Sequence, residues 1–331
     1  MALPIMQHRS IAEGISESGT KIVARILVTG AAGFIGAGLC PALAERGHDV
    51  VAGLRRAGQT PEGAEPRALG EIGPETDWST ALDRIDIVIH LAQRAHAGPD
   101  PVALAAEPAA VAALVRAAAA SGVKRLVLLS SIKAMGETTE PRHPFRFDDE
   151  PHPEDAYGRA KLASEQAASD AARDSGLELV IVRPPLVYGP GVRGNFRSLI
   201  RLVRSGVPLP FAAVDNRRSL IARDNLVGLI GLAATHPAAA GQILLACDGE
   251  DLSTPDLIRA LAVGLGRKAH LFPVPSALLA GLRALPGIGP KLSALTLSLQ
   301  VDDSPTRALL GWTPQVGVAD ALSAAARAVV K

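Results

Sequence analysis

Cysteine is nearly missing from this 331-residue chain: only Cys40 and Cys247 occur, too few and too far apart for a zinc cluster or a disulfide framework. That scarcity suits a reducing, cytoplasmic setting, with both thiols expected in the core. Net charge is nearly missing too. The chain holds 34 basic and 33 acidic side chains, a balance of +1, which removes any broad electrostatic case for a nucleic-acid or acidic-membrane partner. A long unbroken apolar run is also lacking. The stretch 102–120 is alanine-rich but interrupted by Glu107, Pro108 and Arg116, which argues against a membrane span. The first 22 residues have no hydrophobic centre of the kind a secretory signal needs, and 1–23 reads as a flexible extension.

What the chain does have is hydrophobic content of 48% and enough length to bury a large core. Its organising stretch is Gly30-Ala31-Ala32-Gly33-Phe34-Ile35-Gly36. The β-branched run Arg25 to Thr29 before it reads as a buried strand. Phe34, Ile35, Leu39 and Leu43 behind it fall at helical spacing. Strand, glycine turn and helix in that order make a phosphate-binding turn. Glycines let the backbone bend sharply and approach a pyrophosphate, while the helix N-terminus faces the anion. Gly30, Gly33, Phe34, Ile35 and Gly36 are therefore candidate cofactor residues.

Strands and helices keep alternating after this turn. Strands are expected at 50–54, near Ala68-Leu69, at 86–92, 125–130 and 179–183, and helices at 101–121 and from about Asp155. The pattern predicts an α/β fold, a Rossmann-like doubly wound parallel sheet that binds ligands outside the carboxyl ends of its strands. We assign 24–190 to a dinucleotide-binding domain. Residues 191–331, where the alternation loosens, form a smaller C-terminal α/β substrate lobe with chain crossovers back to the first domain. Strand 50–54 ends in Arg55-Arg56, with Leu54 where an acid for the ribose hydroxyls of NAD is expected. The two arginines favour NADP(H), with NAD(H) the alternative. Glu71 and Ile72 edge the expected adenine pocket, and Leu91 and Ala92 close the third main strand beside the cofactor.

Tyr157 and Lys161 lie four residues apart on one helix and share a face. An adjacent ammonium group favours the phenolate of a tyrosine that is to act as a base. Ser131, at the end of the 125–130 strand, is placed to orient the same substrate oxygen. The ordered set of glycine turn, Ser130-Ser131 and Tyr157 to Lys161 resembles the extended short-chain dehydrogenases over the chain from about Arg25 onward. The closer similarity, carried by Leu129 to Lys133 and Arg183 to Gly191, is to the nucleotide-sugar epimerase and ketoreductase branch, the NAD-dependent epimerase/dehydratase family.

That resemblance implies Tyr157 as acid or base, Lys161 as cofactor anchor and Ser131 as substrate partner. It also implies Asn195 and Arg218 at the diphosphate of a nucleotide sugar, a UDP-sugar above all; Arg94, just past the Leu91-Ala92-Gln93 strand end, is a candidate to face the sugar. Ser131-Ile132-Lys133 stands where dehydratases of the family carry Thr-Asp-Glu, which disfavours dehydration. Two departures are Glu107, where the family usually has Asn, and Ala134-Met135-Gly136 in place of Val-Tyr-Gly. The leading expectation is a 4-ketoreductase of a 4-keto-6-deoxy sugar in polysaccharide biosynthesis. A nucleotide-sugar 4-epimerase is the alternative, and a non-catalytic dinucleotide sensor is the alternative of another class, against which the intact Ser131, Tyr157 and Lys161 argue. A homodimer built on two helices from each subunit is a further expectation of the family.

Overall fold

A computed structural model describes residues 23–56, 58–92, 101–140, 143–285 and 287–329. The expected extension over 1–23 lies outside these apart from Val23. The first half of the chain runs β1 (Arg25–Thr29), α1 (Gly36–Glu45), β2 (Asp49–Leu54), β3 (Ala64–Ala68), β4 (Ile87–His90), α2 (Pro101–Ala120), β5 (Arg125–Leu129), α3 (Ala156–Ala172) and β6 (Glu178–Arg183). The second half holds β7 (Leu186–Tyr188), α4 (Gly194–Ser205), β8 (Leu220–Ala222), α5 (Arg223–Thr235) and β9 (Ile243–Leu245). It continues with α6 (Thr254–Gly264), α7 (Ser276–Leu282), α8 (Gly289–Thr296), α9 (Ser304–Leu310) and α10 (Val318–Ala328).

Seven strands form one parallel sheet in the order β3-β2-β1-β4-β5-β6-β9. Strands covered by helices on both faces can be apolar at every position, and β4 and β5 are buried throughout. Alternate residues sort to opposite faces. Ile26, Val28, Ile89, Val127 and Val182 join Leu39, Leu43 and Ile230 on the α1 and α5 side. Leu27, Val88, Leu126, Leu128 and Ile181 join Leu114, Val115 and Ala168 on the α2 and α3 side. Strand order reverses between β1 and β4, the switch point where doubly wound sheets open a crevice for ligands.

α2 is long and apolar enough to cross a membrane by length and composition alone. Its residues Val111, Leu114, Val115 and Ala118 are instead packed among Trp78, Leu82 and Val88 in the sheet's core. Past residue 190, β9 returns to the main sheet and α5 packs on α1. β7 and β8 pair as a separate two-stranded parallel sheet. Tyr188, Phe196, Ile200, Leu261 and Leu322 form the centre of a further core there, built from α4, α6 and α10.

Three elements differ from expectation for local reasons. β3 covers 64–68 rather than starting near Ala68, because an edge strand accommodates Pro66, whose missing N–H reads as a loop signal. Pro184-Pro185 ends β6 as expected, yet the chain resumes extended pairing at once as β7 in the second sheet. α3 stops at Ala172 with Arg173 as its C-cap, before the expected terminator Gly176. α8 and α10 were not expected; neither N-cap, Ile288 or Gly317, supplies a side-chain hydrogen bond.

Candidate active site

The carboxyl ends of β1, β4 and β5 converge on one crevice. Gly30 has φ +69°, and a Cβ there would lie 2.8 Å from the backbone nitrogen of Ala92, at the end of β4. A Cβ on Gly36 would lie 2.5 Å from the carbonyl oxygen of Gly30. These glycines leave a cradle that any side chain would fill, as a pyrophosphate at the α1 N-terminus requires. Thr29 braces the neighbouring strand end: its carbonyl accepts the Leu91 N–H at 3.2 Å, and its hydroxyl accepts that of Ala92 at 3.3 Å. Phe34 turns away from this floor to lie under the Arg223 guanidinium, 5.7 Å from its ring centroid, and packs on the second core. Ile35 is the N-cap of α1 and packs on the first.

Ser131 follows β5 as the N-cap of a short 3-10 turn, its Oγ accepting the Lys133 N–H at 3.2 Å. α3 packs against this turn. Asp155 caps that helix, accepting the Gly158 N–H at 2.6 Å, a device worth about 1 kcal/mol. Gly158 lets the helix press against the carbonyl of Lys133, where no Cβ would fit. Close approach brings the Tyr157 hydroxyl beside Ser131, and Lys161 Nζ lies 5.3 Å from the Tyr157 ring centroid. The expected trio is thus assembled by two elements distant in sequence, the 3-10 turn after β5 and α3.

Lys161 is buried to 1% exposure, and its ammonium is paired with the Glu107 carboxylate of α2. Burial lowers the Lys161 pKa, with Glu107 pulling the other way. Tyr157 is pushed well above the ordinary phenol value, first by desolvation and then by the Glu107 charge, while the nearby Ser131 side chain opposes the rise. The phenol therefore holds its proton. His90 completes the floor, its Nδ1 2.9 Å from Thr29 Oγ1, and burial beside the Lys161 charge pushes its pKa down to about 3.

Two networks hold this arrangement. Lys133 Nζ reaches Glu137 at 2.8 Å and Asp155 at 2.7 Å, joining the 3-10 turn to the start of α3. Behind the site, Glu165 of α3 receives the Ser130 hydroxyl and a two-pronged bond from Arg183, Nη2 to Oε2 at 2.5 Å. Both Arg183 and Glu165 side chains are 4% exposed.

The expected substrate residues divide. Arg218 is partly buried, donates from Nη1 to the Leu297 carbonyl at 2.9 Å, and has its pKa pushed down to about 10 by burial, with Glu137 opposing. Its neighbour Arg217 is exposed. Asn195 is exposed in the first turn of α4. Arg94 lies outside the described residues. At the β2 end, Arg55 and Arg56 are exposed, and Arg55 makes a loose 3.4 Å ion pair with Glu71. Ile72 packs on the core beneath them. The sequence reading missed the roles of Lys133, Glu165 and His90. It noted Glu107 only as a departure, because nothing in sequence links it to Lys161, 54 positions on.

Fold, glycine cradle and the Ser-Tyr-Lys trio define a dinucleotide-dependent enzyme of the Rossmann class. Comparison with known proteins takes this one step further. The model of the NAD dependent epimerase/dehydratase family matches residues 26–246, and the chain belongs to that family. It is 40% identical over 301 residues to a UDP-glucose 4-epimerase of Vibrio cholerae, covering 89% of this chain and 92% of that protein. It is 31% identical over 254 residues to a 2-alkyl-3-oxoalkanoate reductase of Stenotrophomonas maltophilia, covering 73% and 76%. The crystal structure of a UDP-glucuronic acid 4-epimerase from Bacillus cereus in complex with NAD is similar at a TM-score of 0.74 and 25% identity, covering 92% of this chain and 98% of that one.

Proposed function

We propose that this enzyme transfers hydride at carbon 4 of a UDP-linked hexose and runs the reaction as a 4-epimerisation with NAD. The supporting observation is the Ser131, Tyr157 and Lys161 cluster at the crevice beside the glycine cradle, in a chain whose 40% identical relative is named a UDP-glucose 4-epimerase. A nicotinamide dinucleotide bound along Gly30 to Gly36 supplies and receives the hydride. Tyr157 exchanges a proton with the C4 oxygen, which Ser131 holds by a second hydrogen bond. Lys161 contributes its ammonium beneath Tyr157 and offers donors to a ribose. Arg218 and Asn195 take the diphosphate, Arg218 with donors that its one carbonyl partner leaves over.

A second reading, 4-ketoreduction of a 4-keto-6-deoxy sugar with NADPH, is favoured by Arg55 and Arg56 at the β2 end, where the ribose-binding acid is absent. The protein would meet its UDP-sugar as a homodimer in the cytoplasm under either reading. Release and identification of the copurifying dinucleotide, together with turnover of UDP-glucose or UDP-galactose without added reductant, tests the proposal. Retained NAD and C4 epimer formation support epimerisation. A stripped site that consumes NADPH at each turnover replaces it with the reductase.

A further inference from the structure

The near-neutral total charge of the chain hides a local imbalance. Between Asp256 and Asp302 every formal charge is positive: Arg259, Arg267, Lys268, Arg283 and Lys291. Between Glu178 and Asp215 the same holds, with Arg193, Arg197, Arg201 and Arg204 all exposed. The two segments are joined in space. Arg267 Nη1 donates to the Arg204 carbonyl at 2.6 Å, and Phe272 and Leu209 are tied by a backbone bond of 3.0 Å.

Within the segment between Asp256 and Asp302 sits an apolar ridge. α7 buries only Leu279 and turns Leu278 and Leu282 outward at 63% and 42% exposure. Leu278, Leu282 and Leu285 follow i, i+4, i+7 spacing, and Ile288 and Phe272 extend the exposed series at 57% and 43%. Single exposed leucines are ordinary, but a ridge of five large apolar residues among basic ones is not. Lys268 and Lys291 are exposed and form no ion pair among the described residues.

We propose that this face, centred on α7 and the start of α8, docks the enzyme on an anionic lipid bilayer. An apolar ridge that enters the headgroup boundary, flanked by cations at headgroup level, is the pattern of an interfacial anchor. A second copy of the chain is the poorer occupant. A twofold axis would set the same patch against itself, and lysine and arginine would then meet like charge. The face is continuous with the substrate site. α8 ends at Thr296, which receives Arg283 Nη1 at 3.5 Å, and Leu297 carries the carbonyl that holds Arg218. Docking would therefore place Arg218, the proposed diphosphate ligand, close to the bilayer surface. The inference stands whichever C4 reaction the site performs.

Vesicle flotation of the full chain tests it, with phosphatidylcholine vesicles compared against equal mixtures of phosphatidylcholine and phosphatidylglycerol. The expected result is at least about tenfold stronger association with the anionic vesicles, lost as salt approaches about 0.5 M. Leu278→Asp/Leu282→Asp should reduce binding about tenfold or more while leaving turnover and the thermal melt unchanged, because neither side chain is packed. Lys268→Glu/Lys291→Glu should abolish the preference for phosphatidylglycerol. Equal flotation of wild type and both variants would overturn the proposal. So would a concentration-dependent dimer that dissociates only in the leucine variant, because the ridge would then be a contact between copies.

Discussion

Replacing Glu107 by Gln keeps the size of the side chain beside Lys161 and removes its charge. In the native site the carboxylate is paired with an ammonium that is 2% exposed and contributes to holding Tyr157 in its protonated form. A unit charge close to a titrating group shifts its pKa by on the order of 1–3 units. The Lys161 ammonium between them offsets part of that, leaving about one unit. Tyr157 should therefore ionise more easily in the variant, and Lys161, deprived of its counter-charge, should lose its proton more easily as well. Both changes move the alkaline region of the kcat/KM profile toward acid by about one pH unit. The uncompensated ammonium should also lower stability without cofactor by about 1–3 kcal/mol, the range for a buried donor left without its charged acceptor. The assays are kcat/KM from about pH 6 to pH 10 and a thermal melt with and without NAD. Superimposable pH profiles would refute the reasoning, since Glu107 would then exert no field on the reacting pair.

Three further changes probe the rest of the site. Tyr157→Phe should retain dinucleotide affinity and lose about 10²–10⁴-fold in turnover, measured by initial rates alongside cofactor titration; activity equal to wild type would remove Tyr157 from the proton step. His90 is neutral in the fold with its pKa near 3, whereas an unfolded histidine takes up a proton below about 6.5. The unfolded state thus binds more protons between those values, and stability falls on acidification through that window, by up to about 1.4 kcal/mol per pH unit. His90→Gln should flatten this slope in urea midpoints compared at about pH 7 and pH 5. Arg183→Met strands the Glu165 carboxylate in the core and should cost about 3–5 kcal/mol by chemical denaturation.

Much of this fold was legible because its signals are local. β1, β4 and β5 are short apolar runs that no other element accommodates, and the Tyr157 and Lys161 spacing fixes a shared helix face without tertiary information. The glycine turn reads from its flanks alone. What escaped the sequence depends on distant residues. Glu165 looked like one more helix polar residue until Arg183 and Ser130 closed on it from other elements. β3 was obscured by Pro66, whose penalty vanishes at a sheet edge. The exposed face of α7 could not be read either, because periodicity tells which residues share a face but not which face is covered.

The junction of Ser130, Glu165 and Arg183 has an evolutionary consequence. It bolts the chain just before Ser131 to the helix that carries Tyr157, so the mutual placement of these two residues and core integrity rest on the same atoms. Either charged member replaced alone strands the other, whereas an apolar pair of similar volume introduced together would cost far less. Sequences descending from this one therefore face a valley between two viable states at positions 165 and 183. The relative placement of Ser131 and Tyr157 is sheltered from single-step drift even though neither residue takes part in that ion pair.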